Sequence, residues 1–271
     1  MTTHHSFSDP CRDRFARNEL ALGSFVFTHD PAMSEILAGA GFDYGVVDLE
    51  HAALSVADIL AHARAADAAG MSCWARVGHA EPPEIGRILD TGVQGIILSH
   101  FGRDIEHSRS MLQAFSYPPE GSRGTCSGVR GLFYQVPDLP SQITAANARA
   151  LAIGLIEDAQ VVERLDEVLA LPGLGAVMAG GAGDLAASMK LYGQGGHPRV
   201  RKAALSIVES AKAKGLKAGV YVSELEDAPF WADVGVDFCA YSIDYKVVAR
   251  AYQAAFGALS KLRATLNKPP N

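Results

Sequence analysis

Along this chain, short apolar runs alternate with longer segments in which apolar positions recur at helical spacing. The runs lie at residues 21–27, 44–48, 73–77, 95–98, 151–157, 175–180, 218–222 and 238–243. They are too uniformly apolar for a strand with one wet face, which is the pattern of parallel strands covered on both sides. Asp30-Pro31 opens a helix after the first run, and Ser55 caps another that continues to Ala69. Further helices are predicted over 81–91, 104–115, from Glu157 to Ala170, on either side of 193–198, over 227–234 and over 245–262. Eight βα units in one chain indicate a single (β/α)₈ barrel over residues 20–264, between a polar arm (1–19) and a tail (265–271). A doubly wound open sheet is the alternative, but no GxGxxG turn follows the first strand. The alternation breaks once, from Tyr117 to about Asn147, where Pro, Gly, Ser and aromatics predict a long loop.

Composition narrows the class. No run approaches the roughly 20 apolar residues of a membrane span, and the first residues lack the apolar core of a secretory signal, so a cytoplasmic location is expected. The net charge of −6, without a Lys/Arg block, speaks against nucleic acid and anionic membranes as partners. Cys11, Cys73, Cys126 and Cys239 form no CxxC pair and read as buried thiols in a reducing compartment.

In a barrel of this kind the chemistry sits at the C-terminal ends of the strands. Asp48, Glu50, His51, Arg76, His100, Glu157 and Asp184 all fall there. Glu157 and Asp184 end successive strands, and two carboxylates brought together away from water call for a cation. Oxygen ligation favours Mg²⁺ or Mn²⁺, with Co²⁺ a further option. Arg76, set in the apolar stretch Trp74-Ala-Arg-Val77, must meet an anion, either a rim carboxylate or a substrate oxygen. Asp48-Leu-Glu-His51 puts an imidazole near carboxylates, as an acid–base pair or as a helix cap. Gly180-Gly-Ala-Gly183 is either an anion-holding turn or only a tight one. His4, His5, His29, His62, His79, His107 and His197 read as surface or loop histidines.

At these residues the chain resembles the HpcH/HpaI aldolases, metal-dependent class II pyruvate aldolases. The likeness spans most of residues 20–257. It rests on Ala38-Gly-Ala-Gly-Phe-Asp43 leading into Val47-Asp-Leu-Glu-His51, on Arg76, and on Tyr117-Pro-Pro-Glu-Gly-Ser-Arg-Gly124. Ile156-Glu157, Gly181-Ala-Gly-Asp-Leu185 and His197-Pro198 complete it. The resemblance implies that Glu157 and Asp184 bind the metal and that Arg76 contacts the keto or enolate oxygen. It implies that His51 with Asp48 moves protons, and that Gly181, Ala182, Gly183 and Asp184 hold the substrate carboxylate. His100 matches a histidine of the macrophomate-synthase-like branch and is assigned to substrate binding. Leu155 stands where many members carry Gln, Gly181-Ala-Gly-Asp184 where many have Gly-Pro-Ala-Asp, and the 125–135 loop is shorter.

The implied reaction is reversible cleavage of a 4-hydroxy-2-oxo acid to pyruvate and an aldehyde through an enolate held at the metal. Oxaloacetate decarboxylation, malyl-thioester cleavage or non-catalytic 2-oxo-acid binding on the same scaffold are the alternatives. The last helix carries an apolar stripe of Val247, Val248, Ala251, Ala255, Phe256 and Leu259. Packing on its own barrel would explain the stripe. The resemblance implies helix exchange in a homo-oligomeric trimer or hexamer, with residues 117–135 helping to close a neighbouring site.

Overall fold

The apolar runs do form strands that close on themselves. In the computed structural model, which describes residues 7–134, 138–180 and 183–266, these are β1 (Ala21–Val26), β2 (Tyr44–Asp48), β3 (Ser72–Val77) and β4 (Gly95–Leu98). The second half supplies β5 (Leu151–Ile156), β6 (Ala176–Ala179), β7 (Lys217–Val222) and β8 (Phe238–Ile243). All neighbours are parallel, and β8 returns to β1 in a closed barrel, which rules out the doubly wound sheet. Helices α1 (Pro10–Ala16), α2 (Ala32–Gly39), α3 (Val56–Ala68), α4 (Pro82–Asp90), α5 (Ile105–Gln113) and α6 (Leu139–Arg149) precede β5. Then follow α7 (Ala159–Val162), α8 (Leu165–Val168), α9 (Asp184–Ser188), α10 (Pro198–Ala213), α11 (Ala228–Val234) and α12 (Asp244–Leu266).

Inside the barrel, aromatics seal the N-terminal end. Tyr44 stacks on Trp74 at 4.1 Å between ring centroids, and Phe238 meets Trp74 edge-on at 5.4 Å. Gly23 and Gly219 make room for these rings, since a Cβ at either position would overlap Tyr44 or Phe238. Each buried ring of this kind stabilises by roughly 1.5–3 kcal/mol. With the floor filled, the one open end is the mouth at the strand C-termini.

Four features depart from the sequence reading. The arm contains α1, whose Cys11 is buried and whose N-cap Asp9 accepts a hydrogen bond from the Ser72 hydroxyl at 3.0 Å, fastening the helix under the floor. The supposed loop after Tyr117 contains α6, because Leu139, Ile143 and Ala146 recur at helical spacing and pack on Tyr117 and Leu132. His62 is fully buried rather than superficial, its ring held between the Ser34 hydroxyl and the Thr28 carbonyl, both at 2.9 Å. Cys126 is exposed, unlike the other three thiols.

No helix among the described residues is long and apolar enough to cross a membrane. Helix α12 is anchored at its start, where Asp244 accepts the backbone N–H groups of Phe27 and Thr28 at 3.0 and 3.1 Å. Beyond that it leaves Val247, Val248, Tyr252, Phe256 and Leu259 exposed, so the stripe is not spent on its own barrel.

Candidate active site

The register Asp48↔Arg76 sets the last residue of β2 beside a guanidinium on β3. Arg76 Nε and Nη2 donate to the two Asp48 oxygens at 2.7 and 2.6 Å, a bidentate pair in which Asp48 is wholly buried. The guanidinium lies over the Phe25 ring at 4.7 Å, and Nη1 is 3.3 Å from Glu50 Oε2. Burial works against the Arg76 charge, yet the hydrogen bonds to Asp48 and the charges of Asp48, Glu50 and Glu157 hold its pKa above the ordinary value. Asp48 also accepts the backbone N–H groups of Glu50 and His51 at 3.1 and 3.2 Å, so it caps the turn after β2.

The pairing of Asp48 with the His51 ring therefore does not form. Both carboxylate oxygens are engaged, and the imidazole points to the rim, exposed, with Nε2 3.8 Å from Glu50 Oε2. Glu50 takes the place expected of Asp48. The Ser99 hydroxyl donates to its Oε2 at 2.6 Å, which leaves Oε1 facing His100 Nε2 at 3.9 Å.

Strand β5 delivers Glu157 to the same spot. Its Oε1 accepts the His100 backbone N–H at 3.0 Å, and burial pushes its carboxyl up to about 7, against the pull of that hydrogen bond and of His100. Gly180 is required at the adjoining end of β6, because a Cβ there would stand 2.8 Å from Glu157 Cα. Asp158, also buried, accepts from Arg103 at 2.5 Å and lies 3.2 Å from His100 Nδ1.

Donor atoms of Glu50, His100 and Glu157 lie within 4.8 Å of one another, a candidate metal-ligand group. The fit to a divalent cation is chemical as well as geometric. A buried carboxylate whose proton affinity is raised by desolvation and by Glu50 is relieved by a bound positive ion. Asp184, the expected second ligand, lies exposed in the first turn of α9 and outside this group, although its charge is felt at Glu157 and Arg103. Gly183 occupies the N-cap of α9, while Gly181 and Ala182 lie outside the described residues. The sequence reading named Glu50 only as a rim residue and passed over Asp158 and Arg103. The available signal was alternation, which sets Glu50 two positions after Asp48.

Comparison with known proteins identifies the family. The family model for HpcH/HpaI aldolase/citrate lyase matches residues 21–251. A 5-keto-4-deoxy-D-glucarate aldolase of Enterobacter sp. (strain 638) is 30% identical over 256 residues, covering 94% of this chain and 98% of the relative. A hydroxypyruvate/pyruvate aldolase of Roseovarius nubinhibens is 30% identical over 254 residues, covering 93% and 96%. Among solved structures, citrate synthase SbnG superposes with a TM-score of 0.82 at 28% identity, covering 94% of this chain and 98% of that one. An HpcH/HpaI aldolase from Desulfitobacterium hafniense, at 24% identity and a TM-score of 0.84 over 96% of this chain and 97% of the other, shares the fold. With a matched segment running from β1 into α12 and taking in every rim residue described above, the chain belongs to the HpcH/HpaI aldolase/citrate lyase family.

Proposed function

We propose that this chain is a divalent-metal-dependent carbon–carbon lyase that reversibly cleaves a 4-hydroxy-2-oxo acid to pyruvate and an aldehyde. The observation that carries this reading is the half-buried Arg76 guanidinium, locked by Asp48 next to the Glu50–His100–Glu157 donor group. A divalent ion such as Mg²⁺ or Mn²⁺, held by Glu157 with Glu50 and His100 in reach and Asp184 contributing from α9, supplies Lewis-acid stabilisation for charge developing on a 2-oxo acid. Arg76 adds fixed positive charge. Asp48 holds Nε and Nη2 and Nη1 faces Glu50 Oε2 at 3.3 Å, so a substrate oxygen is met by the N–H of Nη1 that is not directed at Glu50, with the guanidinium already fixed in place. His51, at the rim, takes the 4-hydroxyl proton through a water during cleavage and returns it during condensation. The backbone at Gly183 and Asp184 receives the substrate carboxylate.

An imine route lacks its amine. Among the described residues Lys217 is the lysine carried by a strand, and it starts β7 at the floor, paired with Asp237 at 2.8 Å.

A retro-aldol screen coupled to pyruvate detection tests the reading. Pyruvate released from a 4-hydroxy-2-oxo acid, abolished by a chelator and restored by divalent ions, is the expected result. CO₂ from oxaloacetate, or free CoA from a malyl thioester, without aldehyde would replace it with the alternative enolate chemistry. Binding of 2-oxo acids without turnover would leave a non-catalytic barrel.

The reading includes assembly. The exposed stripe of α12 packs on a second copy of the chain, in a trimer or hexamer, and brings the 117–134 segment of one barrel toward the site of another. Sedimentation at micromolar concentration should show the oligomer, and removing residues after Asp244 should dissociate it. A fully active monomer would overturn this.

A further inference from the structure

We propose that the cleft between α4 and the turn from Tyr117 to Gly124, on the outer wall of the barrel, is a second binding site, built for a monocarboxylic acid with a compact apolar body. None of the rim residues described above lines it. Three observations converge on it.

The first is space and its lining. The cleft holds about 320 Å³, at the lower end of the range for small-molecule sites. Pro82, Pro83 and Ala114 give it an apolar wall, and Arg87, Asp90, Ser122 and Arg123 a polar one. Two guanidiniums against one carboxylate leave a single surplus positive charge, which a monoanion balances and a dianion overshoots.

The second is Arg123, whose side chain is only 3% exposed. Its place is set by the backbone. The Ser122 N–H donates to the Gln113 carbonyl at 2.8 Å and the Arg123 N–H to the Ser116 carbonyl at 2.9 Å, which pins the turn to the end of α5. The guanidinium lies over the Tyr117 ring at 4.4 Å and gives Nη2 to Asp90 at 2.7 Å. Nε is buried and has no hydrogen-bond partner among the described residues, so Asp90 holds the guanidinium by one prong where two are usual. A buried donor left open is destabilising, and an incoming acceptor removes that cost.

The third is Gly86, inside α4. Glycine in a helix interior is destabilising relative to alanine, and nothing packed against this position demands it. Outside the helix's own backbone, a Cβ here would meet Arg123 Cγ at 3.8 Å, an ordinary contact. What a side chain would occupy is the cleft, which Gly86 lines. The Arg123 Nε stands two bonds beyond that Cγ, so the space kept open by Gly86 adjoins the unpaired donor. A carboxylate entering there accepts from Nε, with Arg87 and Ser122 offered by the same wall, and its apolar body rests on Pro82, Pro83 and Ala114.

The test uses the full-length protein, treated with a chelator so that the mouth holds no ion, and benzoate as the probe. Calorimetric titration should give a Kd of about 1 mM or tighter, with neutral benzamide at least about tenfold weaker. Gly86→Leu fills the cleft from a position that accepts a side chain. It should melt as cooperatively as the unaltered protein and weaken benzoate by at least about tenfold, the worth of one hydrogen bond to a charged group. Arg123→Lys keeps the charge without an Nε donor and should weaken benzoate to a similar degree. If that variant does not fold, Gly86→Leu decides alone. Absence of benzoate binding at about 10 mM overturns the site, as does benzoate that binds folded Gly86→Leu as tightly as the unaltered protein. Benzamide equal to benzoate overturns the acid, and inorganic phosphate that binds more tightly than benzoate and is lost in Gly86→Leu overturns the monocarboxylate in favour of a dianion.

Discussion

The two halves of the barrel mouth are built differently. On the β2–β5 side nearly every polar atom has a partner. Asp48 is shared by Arg76 and two backbone N–H groups, Glu50 by Ser99 and Arg76, and Asp158 by Arg103 and His100. On the β7–β8 side the buried Tyr221 and Ser242 hydroxyls have no partner among the described residues beyond a weak contact with each other. The halves meet at Phe25, which lies under Arg76 and takes Tyr221 edge-on at 5.7 Å. A saturated network is rigid, and buried donors left open are places for something else to bind. We read the first half as the part that fixes the chemistry and the second as the part that meets variable substrate.

The comparison is broken most directly at Glu157. Glu157→Gln keeps the size and the His100 contact but removes the charge that attracts a cation. Metal binding should be lost, and pyruvate release should fall by about 10³-fold, at least the upper end of the range for a lost oxyanion donor. Metal stoichiometry by elemental analysis, alongside the coupled assay, checks both. An unchanged ion content would remove the centre from the β2–β5 half.

Arg76→Lys comes next. A lysine keeps the charge but cannot reproduce the two-pronged bond to Asp48. The expected loss is about 10²–10³-fold in kcat with the fold intact by circular dichroism. If the variant instead loses its cooperative melt, the pair is chiefly structural, since breaking a buried ion pair costs about 3–5 kcal/mol. Full activity in a folded variant would take Arg76 out of the reaction.

The pH dependence sharpens the same half. Burial raises the Glu157 carboxyl from its ordinary value near 4.5 to about 7. Between these values the folded chain holds a proton that the unfolded chain has released. Stability of the metal-free protein should therefore fall as pH rises from about 4.5 to 7 and change little above that. A metal ion must displace this proton, so affinity should weaken about tenfold per pH unit well below 7. Melting curves and Mn²⁺ titrations across this window measure both, and Glu157→Gln should flatten the first.

How much of this was legible follows from which contacts are local. The strands were readable because residues such as Val46, Val47, Ile96 and Ile97 are buried on both faces, and their apolar character is visible without the partner. Arg76 was readable because a guanidinium in such a run must find an anion. Its partner was not, since Asp48 lies closer along the chain to His51 and only the β2–β3 register brings it to Arg76. Glu50 gains its role the same way, from β2, β3 and β4 standing side by side, and Asp158 gains its role from β4 lying next to β5. Helix α6 was hidden by its Pro-rich approach, although Leu139, Ile143 and Ala146 keep helical spacing. His62 was misread because its partners, Ser34 and Thr28, come from an earlier βα unit.

The smallest effect, and the one that reaches the second half of the mouth, is expected at Tyr221. Burial raises the pKa of its phenol, with Arg250, Arg76 and a hydrogen bond with Ser242 opposing, so the group stays a neutral donor and acceptor at physiological pH. Its one polar neighbour among the described residues is the Ser242 hydroxyl, which has no well-formed bond of its own, so removing the Tyr221 hydroxyl forfeits at most one weak contact. Tyr221→Phe should then be neutral in stability to within about 1 kcal/mol, or slightly stabilising. Its effect should surface only with a substrate able to supply the missing bond. For an aldehyde bearing a hydroxyl next to the carbonyl, kcat/KM should fall about tenfold, the worth of roughly one buried hydrogen bond. For the matching alkyl aldehyde it should stay within about twofold. A ratio of specificities that does not move would mean that Tyr221 merely supports Phe25 beneath Arg76, in which case both aldehydes should lose activity together through a displaced guanidinium. Steady-state kinetics on the two aldehydes in the condensation direction, with pyruvate saturating, separates a hydroxyl that reads substrate from a ring that props the charged half.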